Sequence, residues 1–191
     1  EALKQFDQIR SDMRNNAGVF EKLTRRSVNH PLALIKSNRA EDAIALLAPR
    51  YQDSLKTFGP KRTQTARQAG MLGMAYTALG DKSKAIAAFR GAVPILLVAS
   101  AKSGGEGSGR AAKGQTLGVI LDSYINLLAD IDGTPLEKEA GIDAAAESFR
   151  IADVVRSRAV QGALAASSAR AAAGNKDLAN LVRREQDAQK Q

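Results

Sequence analysis

The chain of 191 residues contains no cysteine and no tryptophan, and it has a single histidine. The absence of cysteine excludes disulfides, thiolate metal sites and a cysteine nucleophile. Aromatic residues make up only 4 % of the sequence, whereas hydrophobic residues reach 44 %. The core must therefore be built mainly from alanine, leucine, isoleucine and valine, which favours closely packed helices over a sheet sandwich.

The sequence also lacks a long uninterrupted hydrophobic run. Its longest candidate, residues 93 to 101, is broken by Pro94 and falls short of the roughly 20 apolar residues that span a bilayer. We therefore expect a soluble chain with no membrane partner.

The net charge of +8 raises the question of a polyanionic ligand. The basic residues are scattered, however, and acidic residues lie among them, a pattern typical of a solvated surface. We do not expect nucleic acid to be the main partner. A basic, polyanion-binding helical module is kept as the alternative function, since it would require only that these cations converge in the fold.

The most informative pattern lies between residues 69 and 92, where small and large apolar residues alternate at regular helical spacing. Its members are Ala69, Leu72, Gly73, Tyr76, Ala85, Phe89 and Ala92, with Gly80 and Asp81 between the two halves. This spacing resembles one tetratricopeptide repeat, a helical hairpin. In that register Gly73 permits close helix approach, Tyr76 and Phe89 fill the space between the helices, and Gly80-Asp81 forms the turn.

The resemblance implies an all-α fold, a superhelix of stacked antiparallel helix pairs forming a single domain over residues 1–191. We assign N-terminal helices to 1–30, a degenerate repeat to 31–59 and the clear repeat to 63–100. A glycine-rich loop follows at 101–116, then a third repeat with a long second helix at 117–173, and a truncated terminal helix at 176–191. The stretch after Pro94 is expected to be either a kinked helical continuation or a short extended passage.

The third repeat is expected to place Tyr124 where Tyr76 lies in the clear repeat, and Ala145, Phe149 and Ala152 where Ala85, Phe89 and Ala92 lie. An insertion of twelve residues separates its two helices and includes residues 132–140. Upstream, the His30-Pro31 pair predicts a turn, because a residue before proline is pushed out of helical geometry.

Residues 146–165 contain Phe149, Ala152, Ser157 and Arg158 at a characteristic spacing. Together with the clear repeat and the tail at 178–189, this stretch resembles the tetratricopeptide region that precedes the caspase-like CHAT domain of bacterial proteins. The resemblance covers about residues 31–191. It implies a regulatory or docking scaffold without activity of its own, since the His and Cys of the protease dyad belong to the domain that follows. We favour the bacterial cytoplasm. Export stays open, because the chain begins at Glu1 without methionine and we expect its N-terminus to be processed or truncated.

Stacked hairpins present the first helix of each repeat on a concave surface where peptides bind. The repeat register places Gly70 and Gly118 on this face, together with six candidate partner-binding residues: Arg67, Met74, Thr77, Gln115, Asp122 and Asn126. Repeats that grip a terminal carboxylate use a lysine and an asparagine where this chain has Gly70 and Met74, so we exclude that mode. Met74 among small residues instead predicts an apolar groove for a protein or peptide, which could be the protein's own C-terminal domain.

We expect no enzyme activity, cofactor or metal. The glycine run at 104–109 lacks the Gly-Lys-Ser/Thr ending of a phosphate-binding loop. Asp130 and Asp132 lack the further carboxylates of a calcium loop. His30 has no ligand partners at helical spacing. The sequence leaves the oligomeric state open.

Overall fold

The computed structural model describes residues 2–14, 18–19, 27–101 and 108–173, and within these ranges all regular structure is helical. The expected all-α class is thereby confirmed. The described helices are α1 (Ala2–Asp12), α2 (Asn29–Lys36), α3 (Ala40–Phe58), α4 (Thr63–Leu79), α5 (Lys82–Ala101), α6 (Ser108–Ile131), α7 (Pro135–Ala140) and α8 (Ala144–Ala173). The predicted terminal helix at 176–191 lies outside the described residues.

The chain divides into two compact units, Glu1–Ser148 and Phe149–Gln191. In the first unit α4 is the central helix. It packs most extensively against its sequence neighbours α3 and α5, and it also contacts α2 and α6. The described part of the second unit is the remainder of α8, residues 149–173.

The turn between α4 and α5 forms where the sequence predicts it. Gly80 ends α4 with φ +86°, a left-handed conformation that glycine adopts without a side-chain penalty. Asp81 Oδ1 then accepts a hydrogen bond from the Lys84 backbone N–H at 3.1 Å and so caps the start of α5. These two adjacent residues reverse the chain and make α4 and α5 a hairpin.

The space between α4 and α5 is filled by Phe89, which is fully buried between Ala85 and Ala92. Its ring stacks on that of Tyr124 in α6, with centroids 5.0 Å apart. Tyr76, which was expected to fill the same space, is only half-buried, and the Lys84 ammonium lies 5.7 Å from its ring centroid. Tyr76 lies in the last turn of α4, beside the turn, where the side chain of Lys84 can reach it.

α5 continues without interruption through Pro94 to Ala101, so the extended alternative is wrong. Proline leaves the carbonyl of Arg90 without its helical donor, but Pro94 lies on the exposed side of α5, where water can reach that carbonyl. Because the helix is unbroken, α5 is the one described helix long and apolar enough to cross a membrane, by length and composition only. A third of its most apolar window is buried inside the fold, and core helices of soluble proteins pass the same test.

The glycine-rich loop expected at 101–116 is wrong at both described ends, because α5 includes Ala101 and α6 begins at Ser108. Residues 102–107 lie outside the described residues. Four good helix formers, Arg-Ala-Ala-Lys, separate Gly109 from Gly114. The expectation of a loop gave too much weight to glycine alone.

The insertion in the third repeat contains the short helix α7. The two carboxylate oxygens of Glu137 accept hydrogen bonds from the backbone N–H groups of Gly133 at 2.9 Å and Ala144 at 2.8 Å. One side chain thus satisfies donors on both sides of α7. The expected correspondence with the clear repeat fails beyond it, since Ala145 and Ala152 are exposed and Phe149 is 76 % exposed.

His30 lies in the first turn of α2 and not in a turn between helices. Proline is tolerated next to it because N–H groups of the first helical turn have no partner within the helix. The imidazole is buried and stacks on Phe6 of α1, with ring centroids 4.6 Å apart. Since α1 has no fully buried residue of its own, this stack is a principal contact of α1 with α2.

Substituting Gly73 by alanine should destabilise the fold. A Cβ at this position would lie 2.8 Å from Cε1 of the buried Phe89 ring, and overpacking of this kind costs about 1–3 kcal/mol. The measurement is thermal unfolding followed by circular dichroism. Gly91→Ala is the matched control, because a Cβ there meets nothing within 4 Å and should raise stability by about 0.5–1 kcal/mol. Equal effects of the two substitutions would contradict the packing.

Protonation of His30 should weaken the fold. Burial, then the positive charges of Arg50, Arg10 and Arg39, lower the pKa of His30 below 6.5, against an opposing effect of Asp7. Because the unfolded chain binds the proton more tightly, stability should be fully present above pH 6.5 and decline as the pH falls below it.

The single histidine makes this pKa directly measurable from its imidazole proton resonance by NMR. We expect a midpoint below 6.5 in the native chain, and a midpoint closer to 6.5 in Phe6→Ala, which uncovers the ring. A native midpoint at or above 6.5 would show that the imidazole is not buried in solution.

Candidate functional site

The candidate surface is formed by α4 and α6, which the repeat register predicts to be first helices of successive hairpins. They approach closely at Gly70, where a Cβ would lie 3.0 Å from Ile120 Cδ1 and Cγ2. Ile120 is itself completely buried. Gly70 therefore lies in a packed contact between the helices and is not part of an open groove.

Two further contacts join these helices to their neighbours. Thr65 of α4 is buried, and its hydroxyl donates to the Ser54 carbonyl of α3 at 3.2 Å. Lys82 of α5 forms an exposed ion pair with Asp130 of α6, with 3.8 Å between Nζ and Oδ2. The first contact links α4 to α3, and the second links α6 to α5.

The three α4 candidates differ in what they offer a partner. Met74 is only 6 % exposed, so the apolar groove expected around it is closed by packing. The Thr77 hydroxyl donates to the Gly73 carbonyl at 2.9 Å, one turn earlier in the same helix. Arg67 is half-buried and is the only charged residue of α4.

The three α6 candidates share one exposed face. Gln115, Asp122 and Asn126 are all exposed, and their spacing of seven and four residues places them along one side of the helix. Asp122 is therefore solvated and does not need the basic neighbour that a buried carboxylate would require. The structure places α4 and α6 side by side, but their candidate residues differ. Those of α6 are exposed polar groups, whereas those of α4 are partly or fully buried and only Arg67 among them is charged.

No described side chain forms a hydrogen bond or an ion pair with the Arg67 guanidinium. Burial lowers the pKa of Arg67 below its ordinary value, with no carboxylate acting in the opposite direction. An isolated arginine stays protonated at neutral pH even so. The sequence carried a signal for this isolation, because α4 contains no acidic residue.

Several other described cations do have partners. Arg39 pairs with Asp42 at 2.6 Å, Lys84 with Asp81 at 2.8 Å and Arg156 with Asp153 at 2.8 Å, the two residues of each pair being three apart in sequence. Arg90 donates to the carbonyl of Ala140 at 2.7 Å. These exposed groups are distributed over several helices and mixed with acidic residues, which is the arrangement of an ordinary solvated surface.

Within the described part of the chain, no group of three or more His, Asp or Glu side chains could hold a metal ion. Comparison with protein-family models, with curated proteins and with solved structures finds no match to this chain. The candidate surface is therefore argued from its own geometry and chemistry.

Replacing Arg67 by methionine should leave the melting temperature unchanged or raise it. The fold loses no ion pair, and the burial of an uncompensated cation is relieved. Circular dichroism melts would measure the effect, with Arg62→Met as the control. Arg62 is exposed at the start of α4, where a substitution should change stability by no more than about 0.5 kcal/mol. A marked fall for Arg67→Met alone would mean that the guanidinium stabilises the fold.

Proposed function

We propose that this chain is a non-catalytic protein-binding module built from tetratricopeptide-like hairpins. The observation that carries the proposal is the position of α4, which packs between α3 and α5 and also contacts α2 and α6. In a stack of hairpins each first helix meets its own second helix, the preceding hairpin and the next first helix. The contacts of α4 follow that scheme.

The binding surface in this proposal is the exposed side of α6, with Gln115, Asp122 and Asn126, together with Arg67 of α4. Amide and carboxylate groups on a rigid helix can pair with the backbone and side chains of a peptide, which gives specificity without a deep pocket. Of the other α4 residues on the expected face, Met74 and Gly70 are buried in packing and Thr77 is hydrogen-bonded within its own helix, so they are not part of the proposed surface. The partner is a protein or peptide segment, either separate or from the same polypeptide.

A narrower form of the proposal follows from the resemblance to the region preceding CHAT domains. The module would then regulate a caspase-like domain on the C-terminal side, which would supply both members of the His and Cys dyad. The chain itself has no cysteine, and its one histidine is buried against Phe6. The reading frame downstream of Gln191 tests this form, since it must encode a domain with a His and Cys pair.

The binding surface can be tested by selecting ligands from a random linear peptide library on the purified chain. Alanine at all three of Gln115, Asp122 and Asn126 should weaken the selected peptides about tenfold or more, a loss that fluorescence anisotropy resolves. The matched control is alanine at Gln52, Glu41 and Thr57, three exposed residues of α3, which should leave affinity unchanged.

Failure to select any peptide, or equal losses in the two triple variants, would reject this surface. The same variants can be titrated with random duplex DNA over a range of salt concentrations. Binding that is tight at low salt and falls steeply as salt rises would favour the polyanion-binding alternative.

A further inference from the structure

Arg67 is a half-buried cation for which no group in the described part of the chain supplies a partner. A half-buried guanidinium gives up part of its hydration, and this loss is normally recovered through a carboxylate or several carbonyl oxygens. None of the described groups supplies either, because α4 has no acidic residue and no described neighbour bonds to the side chain. Many other residues would suit a half-buried helical position better.

The adjacent residue, Gln68, has a polar side chain that is incompletely satisfied. The Oε1 atom of Gln68 is buried without a hydrogen-bond partner among the described groups. The two side chains differ in kind: Gln68 has a buried acceptor that lacks a donor, whereas no guanidinium nitrogen of Arg67 is among the buried atoms without a partner, so its donors remain open to solvent or to a ligand. A buried polar atom without a partner is exceptional in folded proteins and calls for an explanation.

From this we infer that Arg67 receives the carboxylate of an Asp or Glu side chain within the bound peptide. The inference rests on the proposed function and specifies its partner: an acidic residue within an otherwise uncharged segment. The planar guanidinium can hold such a carboxylate through two parallel N–H···O bonds, and partial burial strengthens the pair relative to one formed in bulk water.

The number of cations on α4 favours a peptide carboxylate over a polyanion as the ligand. Nucleic acid is bound by many cations that neutralise successive phosphates, whereas Arg67 is the only charged residue on α4. The ligand is also not a chain terminus, since Gly70 and Met74, the next residues along this face, are buried and bring neither lysine nor asparagine. A single internal acidic residue matches a single cation.

The experiment selects peptides from the same random library on the wild-type chain and measures their affinity for Arg67→Gln and Arg62→Gln. We expect the selected peptides to share one acidic position and to bind Arg67→Gln about tenfold more weakly, with Arg62→Gln unchanged. Replacing the shared acid in the peptide by its amide should give a similar loss on wild type and little further loss on Arg67→Gln, as in a double-mutant cycle.

Three results would overturn the inference, and they can be told apart. Peptides that bind without an acidic position, or equally to Arg67→Gln, refute the role of Arg67 while leaving the binding module intact. An absence of selected peptides refutes the module itself. Random DNA binding that is lost in Arg67→Gln assigns the residue to a polyanion. A circular dichroism melt of Arg67→Gln at or above the wild-type temperature ensures that lost binding is not lost folding.

Discussion

The fold depends on the close approach of α4 and α5 at Gly73. Without a side chain at this position the Phe89 ring can lie directly against the α4 backbone, and from there it reaches the ring of Tyr124. Three helices are joined through one glycine and two aromatic rings. In a chain with so few aromatic residues, these two rings are the largest fully buried side chains of the described core.

A second close approach, between Gly70 and Ile120, repeats the same principle one turn earlier in α4. Two glycines on one helix thus let α5 and α6 pack against different sides of it. The groove expected around Met74 is absent, since Met74 is 6 % exposed, and Gly70, a small residue expected on the same open face, instead contacts Ile120 of α6. Small residues permit contact, and their spacing alone does not decide whether the contact is with a neighbour or a ligand.

The parts of the structure that were predictable from sequence are those with local causes. The turn at Gly80-Asp81 and the end of α3 at Gly59 follow from residues that act within one helical turn. The burial of His30 depends on Phe6 of another helix, which the residues around His30 do not reveal. The repeat spacing carried over beyond α7 failed, since Phe149 was expected at a packing position and is exposed.

The environment of Arg67 could not be predicted from the sequence. The helical pattern placed it on the expected face, but only the structure shows that it is half-buried and that no described group pairs with it. Methionine or leucine would fill the same volume without the loss of hydration. Folding alone therefore gives no reason for an arginine at this position of the central helix, whereas the proposed peptide carboxylate would give it a partner.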